Sequence, residues 1–445
     1  MAHFIIKNIG PINHTEFDLN RVNVFIGPQS VGKSTIAKII SFCLWLEKTT
    51  IRQQHVDNID LSFVEEYLVS FHKMSSYFNP ESYIHYEGKA ITFDYIYKSS
   101  FQIHKSTNFS ELETGKVAYV PAERNIVSMA YVGSFKFEYD YVRDFVFEWL
   151  GIRSKYSQTD AIHIPGTDVK YFFDEKRGDI IELPNHKSIS LNEASSGLQS
   201  VIPLYIYCLY VSEWIYQHNM DMSYEDADKI IEGVSRMTYN ALRQEADSNE
   251  IFKGDRYEDN AEMMTMLIRN IFSHTNETAL ENTYKTLTKF ADRIRKPHFT
   301  QLIIEEPELN LFPETQVELL YALLRLLQNN RPDNLVVTTH SPYILYALNN
   351  CLLANIVRGK MPKTKFDKVR CSDVVLDSQE VSVFELENGE FRPIEQNVDI
   401  GKYTIQDDFG LIRQNFFDHV IKGIMDDFNS LLKYRFCQLV PLERC

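Results

Sequence analysis

The chain has 445 residues, 44% hydrophobic and 24% charged, which suffices for one large core or two modest ones and argues against a disordered chain. The formal net charge of −15 argues against wrapping of nucleic acid over the whole surface, although a local basic patch stays open. Six cysteines without CxxC spacing argue against a disulfide framework or structural zinc and fit reduced thiols in a cytoplasmic protein, and neither a signal peptide nor an apolar run long enough for a membrane is read.

Residues 3–10, 15–19 and 22–26 read as short strands divided by Gly10-Pro11 and Asn20. The last, Val22 to Ile26, runs directly into Gly27-Pro28-Gln29-Ser30-Val31-Gly32-Lys33-Ser34, after which Ile36, Ile39, Ile40 and Leu44 recur at helical spacing. Gly27-x4-Gly32-Lys33-Ser34 is a full phosphate-binding loop pattern in its strand–loop–helix setting. Its glycines let backbone N–H groups face phosphate oxygens, and the helix N-terminus adds its positive end. Lys33 would reach the β- and γ-phosphates of ATP and Ser34 would hold Mg²⁺, so Gly27 to Thr35 is the expected nucleotide site. Lys33 is expected to stand exposed when the loop is empty.

Residues 60–78 read as helical and 83–104 as strands. Val117 to Val120 is another core strand, ending at Pro121-Ala122-Glu123-Arg124, and 160–192 reads as antiparallel strands with turns at Gly166, Gly178 and Pro184. From Ser195 to Tyr216 the pattern is helical. Ser195-Ser196-Gly197-Leu198-Gln199 opens that helix as an anion site or, more plainly, as a serine N-cap with no ligand. The apolar strand Gln301 to Ile304 ends in Glu305, placed beside a metal, and Glu306, placed to hold attacking water as general base. A helix from Glu314 to Gln328 opens at Pro313, and a third core strand, Leu335 to Thr338, leads into Thr339-His340-Ser341-Pro342. His340 at that strand end can donate to a γ-phosphate or orient water. Further on, Val381 to Leu386 alternates as a strand before a turn at Asn388-Gly389, and 409–434 is helical. The basic stretch Arg358, Lys360, Lys363, Lys365, Lys368 and Arg370 reads as a solvated loop or as a contact for nucleic acid or a partner.

In their order these segments resemble the ABC-type ATPase heads of the SMC-like and overcoming-lysogenization-defect families. Glu305-Glu306-Pro307-Glu308-Leu309-Asn310-Leu311-Phe312-Pro313 resembles their EEPExxLHP segment, and Thr339-His340-Ser341-Pro342 their switch-histidine motif. Asn23 to Pro28 resembles the strand leading into their phosphate loop, and Ser196-Gly197-Leu198-Gln199 a degenerate LSGGQ signature with Leu198 in place of the second glycine. The resemblance implies an α/β fold, a P-loop NTPase of ABC-ATPase head type made of residues 1–210 and 297–350. A helical insertion, an arm or lid, would occupy 211–296, and a small α+β region 351–445. It also implies a composite site in which one head binds ATP through Gly27 to Thr35, Mg²⁺ through Ser34 and Glu305, and water through Glu306 and His340. Ser196, Gly197 and Gln199 of a second head would close over the γ-phosphate, so that ATP joins two heads and hydrolysis releases them.

Three features depart from these families. Residues 211–300 separate signature and carboxylates, the first acid is glutamate rather than aspartate, and no Q-loop glutamine is evident; Glu123-Arg124 stands where it would be sought. Members with a Toprim nuclease domain carry a DxD pair, whereas only Asp407-Asp408 and Asp426-Asp427 follow His340. The resemblance therefore implies a free-standing regulatory or sensor ATPase, a homodimer or higher homo-oligomer through its heads. It would control a separate effector protein such as a nuclease, as in anti-phage defence, away from membranes. An SMC-like repair or recombination ATPase stays open, although long heptads are missing. An ATP-locked scaffold without hydrolysis stays open too, although a clamp needs no base such as Glu306.

Overall fold

The computed structural model describes residues 2–129, 132–218, 231–239, 257–273, 293, 296–392 and 404–437. Its centre is an 11-stranded sheet of two kinds. Strands β1 (Ala2–Ile9), β2 (Ile12–Leu19), β4 (Phe78–Glu87), β5 (Ile91–Ile96) and β6 (Ser100–Lys105) pair antiparallel in the order β6-β5-β4-β1-β2. β5 alternates buried and half-buried residues, as expected where one sheet face is covered. Strands β3 (Val22–Ile26), β7 (Gly115–Val120), β12 (Phe299–Glu305) and β13 (Asn334–Thr338) run parallel in the order β3-β13-β12-β7. β3 is buried at every position, because a parallel sheet carries layers on both faces.

Those layers follow from alternation along the strands. On β12, Ile303 joins the core beneath helix α1 (Lys33–Gln53), with Ile36, Ile39 and Ile40. Leu302 and Ile304 join the opposite core. That second core includes apolar residues of α2 (Tyr141–Ile152), α3 (Ser196–Leu209), α4 (Pro313–Leu326) and α5 (Pro342–Val357). A 4-stranded antiparallel sheet lies between α2 and α3 in the chain, built from β8 (Ile162–His163), β9 (Lys170–Asp174), β10 (Gly178–Glu182) and β11 (Ser188–Ser190).

Several elements depart from the reading above. Only Leu61–Val64 and the π turn Glu65–Ser70 of the expected helix at 60–78 form, since β4 already begins at Phe78. α2 was not anticipated; Asp140 starts it by accepting from the Arg143 N–H at 2.9 Å. Within 211–296 helical turns continue α3 through Tyr210–Trp214 and Ile215–Gln217, 231–239 is helical, and Glu258–Asn260 leads into the helix Ala261–Ser273, while 219–230, 240–256 and 274–292 lie outside the described residues. Segment 231–239 is tied to the end of α1 by His55–Glu232 at 2.9 Å.

From the region 351–445, expected to be small and α+β, two strands join the main sheet. β14 (Val381–Glu387) pairs parallel with β3, Val383 opposite Val24, and β15 (Glu390–Phe391) bridges to β2. Aromatic contacts explain this insertion: Phe384 stacks on Phe25 at 5.1 Å, and Phe391 meets Phe17 edge-on at 5.7 Å. The last described helix, α6 (Phe416–Cys437), follows.

Candidate functional site

The strand register brings the motif-bearing ends together. Glu305 on β12 lies opposite Thr338 on β13, and Thr338 opposite Phe25 on β3. The phosphate loop, the two carboxylates and Thr339-His340 thus leave the same carboxyl edge, where open α/β sheets bind ligands. Gly27 has φ 143° and Gly32 φ 108°. A Cβ on Gly27 would stand 2.4 Å from the Leu386 carbonyl oxygen, so glycine is required there both by conformation and by the neighbouring β14.

A cavity of about 560 Å³ opens at this edge. Gln29, Ser30, Gly32, Lys33, Ser34 and Thr35 line it from the loop, Glu306 and His340 from the strand ends, and Tyr77 from the β4 side. Lys33 is not exposed as expected. Its ammonium folds back to donate to the carbonyls of Gly27 at 2.9 Å and Pro28 at 2.6 Å, and burial lowers its pKa to about 8. The loop carbonyls thus occupy a cation that phosphate oxygens would take.

The carboxylates sit in different settings. Glu305 is buried, accepts from the Tyr119 hydroxyl and is hydrogen-bonded by Ser34; burial raises its pKa to about 7. A hydroxyl and a carboxylate side by side fit Mg²⁺, which takes one or two protein oxygens and completes its shell with water and phosphate. Glu306 is half-buried, with its Oε1 3.5 Å from His340 Nε2, and the histidine followed by Lys33 holds its carboxyl below the usual range. It therefore stays ionised near neutral pH. Its φ of 44° is unusual for a residue with a side chain. Its N–H donates to the Thr338 carbonyl at 2.9 Å. The neighbouring Glu308, half-buried and pushed up in pKa by desolvation, accepts from the His340 N–H and so fixes the backbone at His340.

Arg124 holds this geometry in place. It is fully buried and donates to the carbonyls of Glu305 at 2.8 Å, Glu306 at 2.7 Å, Pro121 at 3.2 Å and Ser200 at 3.2 Å. One guanidinium thereby ties the carboxylate strand, the end of β7 and the first turn of α3. Arg124→Met should cost about 3–5 kcal/mol, because buried carbonyls lose their donors. Urea unfolding measures this; a loss below about 1 kcal/mol would refute the assignment.

The signature residues lie elsewhere. Ser195 caps α3, accepting from the Leu198 N–H at 3.4 Å, and Gln199 donates to the carbonyls of Asn192 at 3.1 Å and Leu191 at 3.3 Å. Gly197 lies against the segment after Glu306: a Cβ there would be 2.8 Å from the Asn310 carbonyl. Ser196 is exposed, and neither it nor Gly197 nor Gln199 lines the cavity of its own chain. Sequence reading missed Tyr119, Tyr77 and Glu308 as site residues, and found Arg124 only as part of a dipeptide of uncertain role. The EEPE string did contain Glu308, but nothing near Tyr119 announces its partner.

Residues 286–345 match the AAA ATPase domain family, a segment that includes Glu305, Glu306 and His340. No curated protein matches the chain. Among solved structures it is similar to the SMC head domain from Thermotoga maritima, at 9% identity over 78% of this chain and 90% of that one, with a TM-score of 0.33. It is similar to a dimeric ATP-binding cassette in a post-hydrolysis state with ADP and Pi, at 10% identity over 88% and 98%, TM-score 0.27. The recombination mediator protein RecF is a third, at 12% identity over 87% and 96%, TM-score 0.27. Resemblance this loose assigns no residue a role. The fold is α/β and of the P-loop NTPase class, with its loop between β3 and α1.

Proposed function

We propose that the chain is an ATPase of ABC-head type that binds Mg²⁺-ATP at the β3–α1 loop, hydrolyses it, and pairs two heads around the nucleotide. The observation that carries this reading is the convergence of Lys33, Ser34, Glu306 and His340 on one cavity, with Glu305 beside Ser34. In the proposed reaction the loop amides and Lys33 hold the β- and γ-phosphates, and Tyr77 faces the base. Mg²⁺ on Ser34 and Glu305 would neutralise phosphate charge. Glu306 takes a proton from the attacking water while His340, across 3.5 Å, orients the carboxylate or donates to the γ-phosphate.

Pairing of heads is supported by the exposure of Ser196 at the N-terminus of α3, where a hydroxyl and free N–H groups can meet an anion from outside the chain. Ser196→Arg should block the site of the opposite subunit, and Lys33→Ala the site of its own. Each variant alone should be inactive. Mixed together they form dimers with one doubly defective and one intact site, so phosphate release should partly return. No return, with mixed dimers shown to form, would remove the in-trans role.

Control of a separate effector protein, as in anti-phage defence, rests on the resemblance of the motif order, and co-purification of the native complex tests it. The alternative of a DNA-repair ATPase predicts ATP-stimulated, salt-sensitive DNA binding. An ATP-locked scaffold predicts tight binding without phosphate release. Among the described residues no helix is long and apolar enough to cross a membrane, and a cytoplasmic location is part of the same proposal.

A further inference from the structure

A second cavity, of about 190 Å³, lies between α1, the turn at 65–72, β7 and α2. It shares no lining residue with the nucleotide cavity. Its size falls below the roughly 300–1,000 Å³ of drug-sized pockets, which restricts an occupant to one small ring system. Phe42, Trp45, Phe71, Tyr139, Tyr141 and Phe145 give it aromatic walls. Such walls favour a flat π-system over an aliphatic chain.

Polar side chains line it too, among them the His72 ring, the ammonium groups of Lys48 and Lys116 and the carboxylates of Asp144 and Glu148. His72 lines the cavity, is 3% exposed, and its Nδ1 has no hydrogen-bond partner. Burial, reinforced by Lys38, lowers its pKa to about 3, so the ring is neutral and offers one donor and one acceptor nitrogen. A buried polar atom without a partner is costly, and the polar edge of a ligand would satisfy it. Exposed Asp144 and half-buried Glu148 also line it, the latter accepting from Lys116 at 2.6 Å and from the Tyr207 hydroxyl. These carboxylates can accept from an amino group.

The cavity also reaches the catalytic edge. Tyr119 lines it and donates its hydroxyl to Glu305, while Tyr141 lines it and donates to Glu123 at 2.9 Å. His72 meets the Tyr119 ring edge-on at 5.8 Å and stacks on Tyr141 at 5.9 Å. A ring wedged among these side chains would press on the hydrogen bond that restrains the metal-side carboxylate.

We propose that this cavity is a second binding site, for a planar, amino-bearing nitrogen heterocycle of the nucleobase class, and that its occupancy is transmitted to Glu305 through Tyr119. The aromatic walls take the ring faces, His72 its inner nitrogen edge, and Asp144 with Glu148 its exocyclic amine. Binding stands independently of the ATPase reading; the effect on turnover rests on it.

The test uses the full chain with its nucleotide site filled by Mg²⁺ and a non-hydrolysable ATP analogue, and free adenine as probe in equilibrium dialysis. Saturable adenine binding is expected. His72→Phe, which keeps the ring and removes its nitrogens, should weaken binding about tenfold, the worth of one hydrogen bond. Tyr139→Ala, at a half-exposed ring of the wall, should weaken it about as much through lost stacking, while the chain stays folded by its melting curve. Absence of saturable binding by adenine and cytosine, or wild-type affinity in both variants, overturns the site. In hydrolysis assays adenine should shift the Mg²⁺ concentration for half-maximal turnover at least about twofold, and Tyr119→Phe should abolish that shift while binding persists. Adenine that binds without any shift in an active enzyme overturns the link to Glu305. A chain that binds adenine but never hydrolyses ATP overturns the ATPase reading and leaves the site standing.

Discussion

Lys33→Ala should lower ATP affinity by at least about a hundredfold, since the ammonium makes charge-assisted bonds to phosphate worth about 1.5–3 kcal/mol each. The folded chain should survive, because the lost contacts are to two carbonyls of its own loop, Gly27 and Pro28, beside an open cavity. Burial of this lysine adds a pH signature. Its pKa is lowered to about 8 without nucleotide, and phosphate favours the charged form. Binding should therefore be fully developed below that value and weaken as pH rises through it, with a proton taken up on binding above it. Calorimetric titration of an ATP analogue between pH 6.5 and 9.5, on wild type and variant, measures both effects. Normal affinity in a folded Lys33→Ala protein would end the phosphate-loop assignment.

What could be read from sequence were the motifs contained in short contiguous runs. Gly27 to Ser34 needs only its own strand and helix to become a phosphate loop, and Glu305-Glu306 and His340 need only to end buried strands. The register of β3, β13 and β12 then does the rest, as Thr338 opposite both Phe25 and Glu305 makes plain. Groups defined by distant partners stayed hidden. Arg124 meets Glu305 and Glu306 across more than 180 positions, and nothing in Ala122-Glu123-Arg124-Asn125 announces that its guanidinium is buried. Val381 to Leu386 was recognisable as a strand, but its place beside β3 depends on Phe384 finding Phe25. The burial of Lys33 escaped for a related reason: propensity treats lysine as a solvent-facing residue, whereas here two loop carbonyls replace water around it.

Glu306→Gln should leave ATP binding intact or tighter while turnover falls about 10²–10⁴-fold, the usual worth of a general base. The change keeps the side chain's size and removes a negative charge near the γ-phosphate. Lys33, Ser34 and Glu305 remain, and the Arg124 and Thr338 contacts that hold this unusual backbone are to main-chain atoms and survive substitution. Glu305→Gln should behave differently. Burial raises that carboxyl's pKa to about 7, so below that pH metal displaces a proton from it as it binds. Its loss should raise the Mg²⁺ needed for nucleotide affinity rather than abolish the chemical step alone. If two heads close around ATP, blocked hydrolysis should hold them closed, and light scattering should find Glu306→Gln predominantly paired on addition of ATP and Mg²⁺. Hydrolysis at the wild-type rate would show that Glu306 is not the base. Slow hydrolysis with an oligomeric state indifferent to ATP would keep the base but remove nucleotide-dependent pairing, since a ligand moves an equilibrium only by its difference in affinity for the two states.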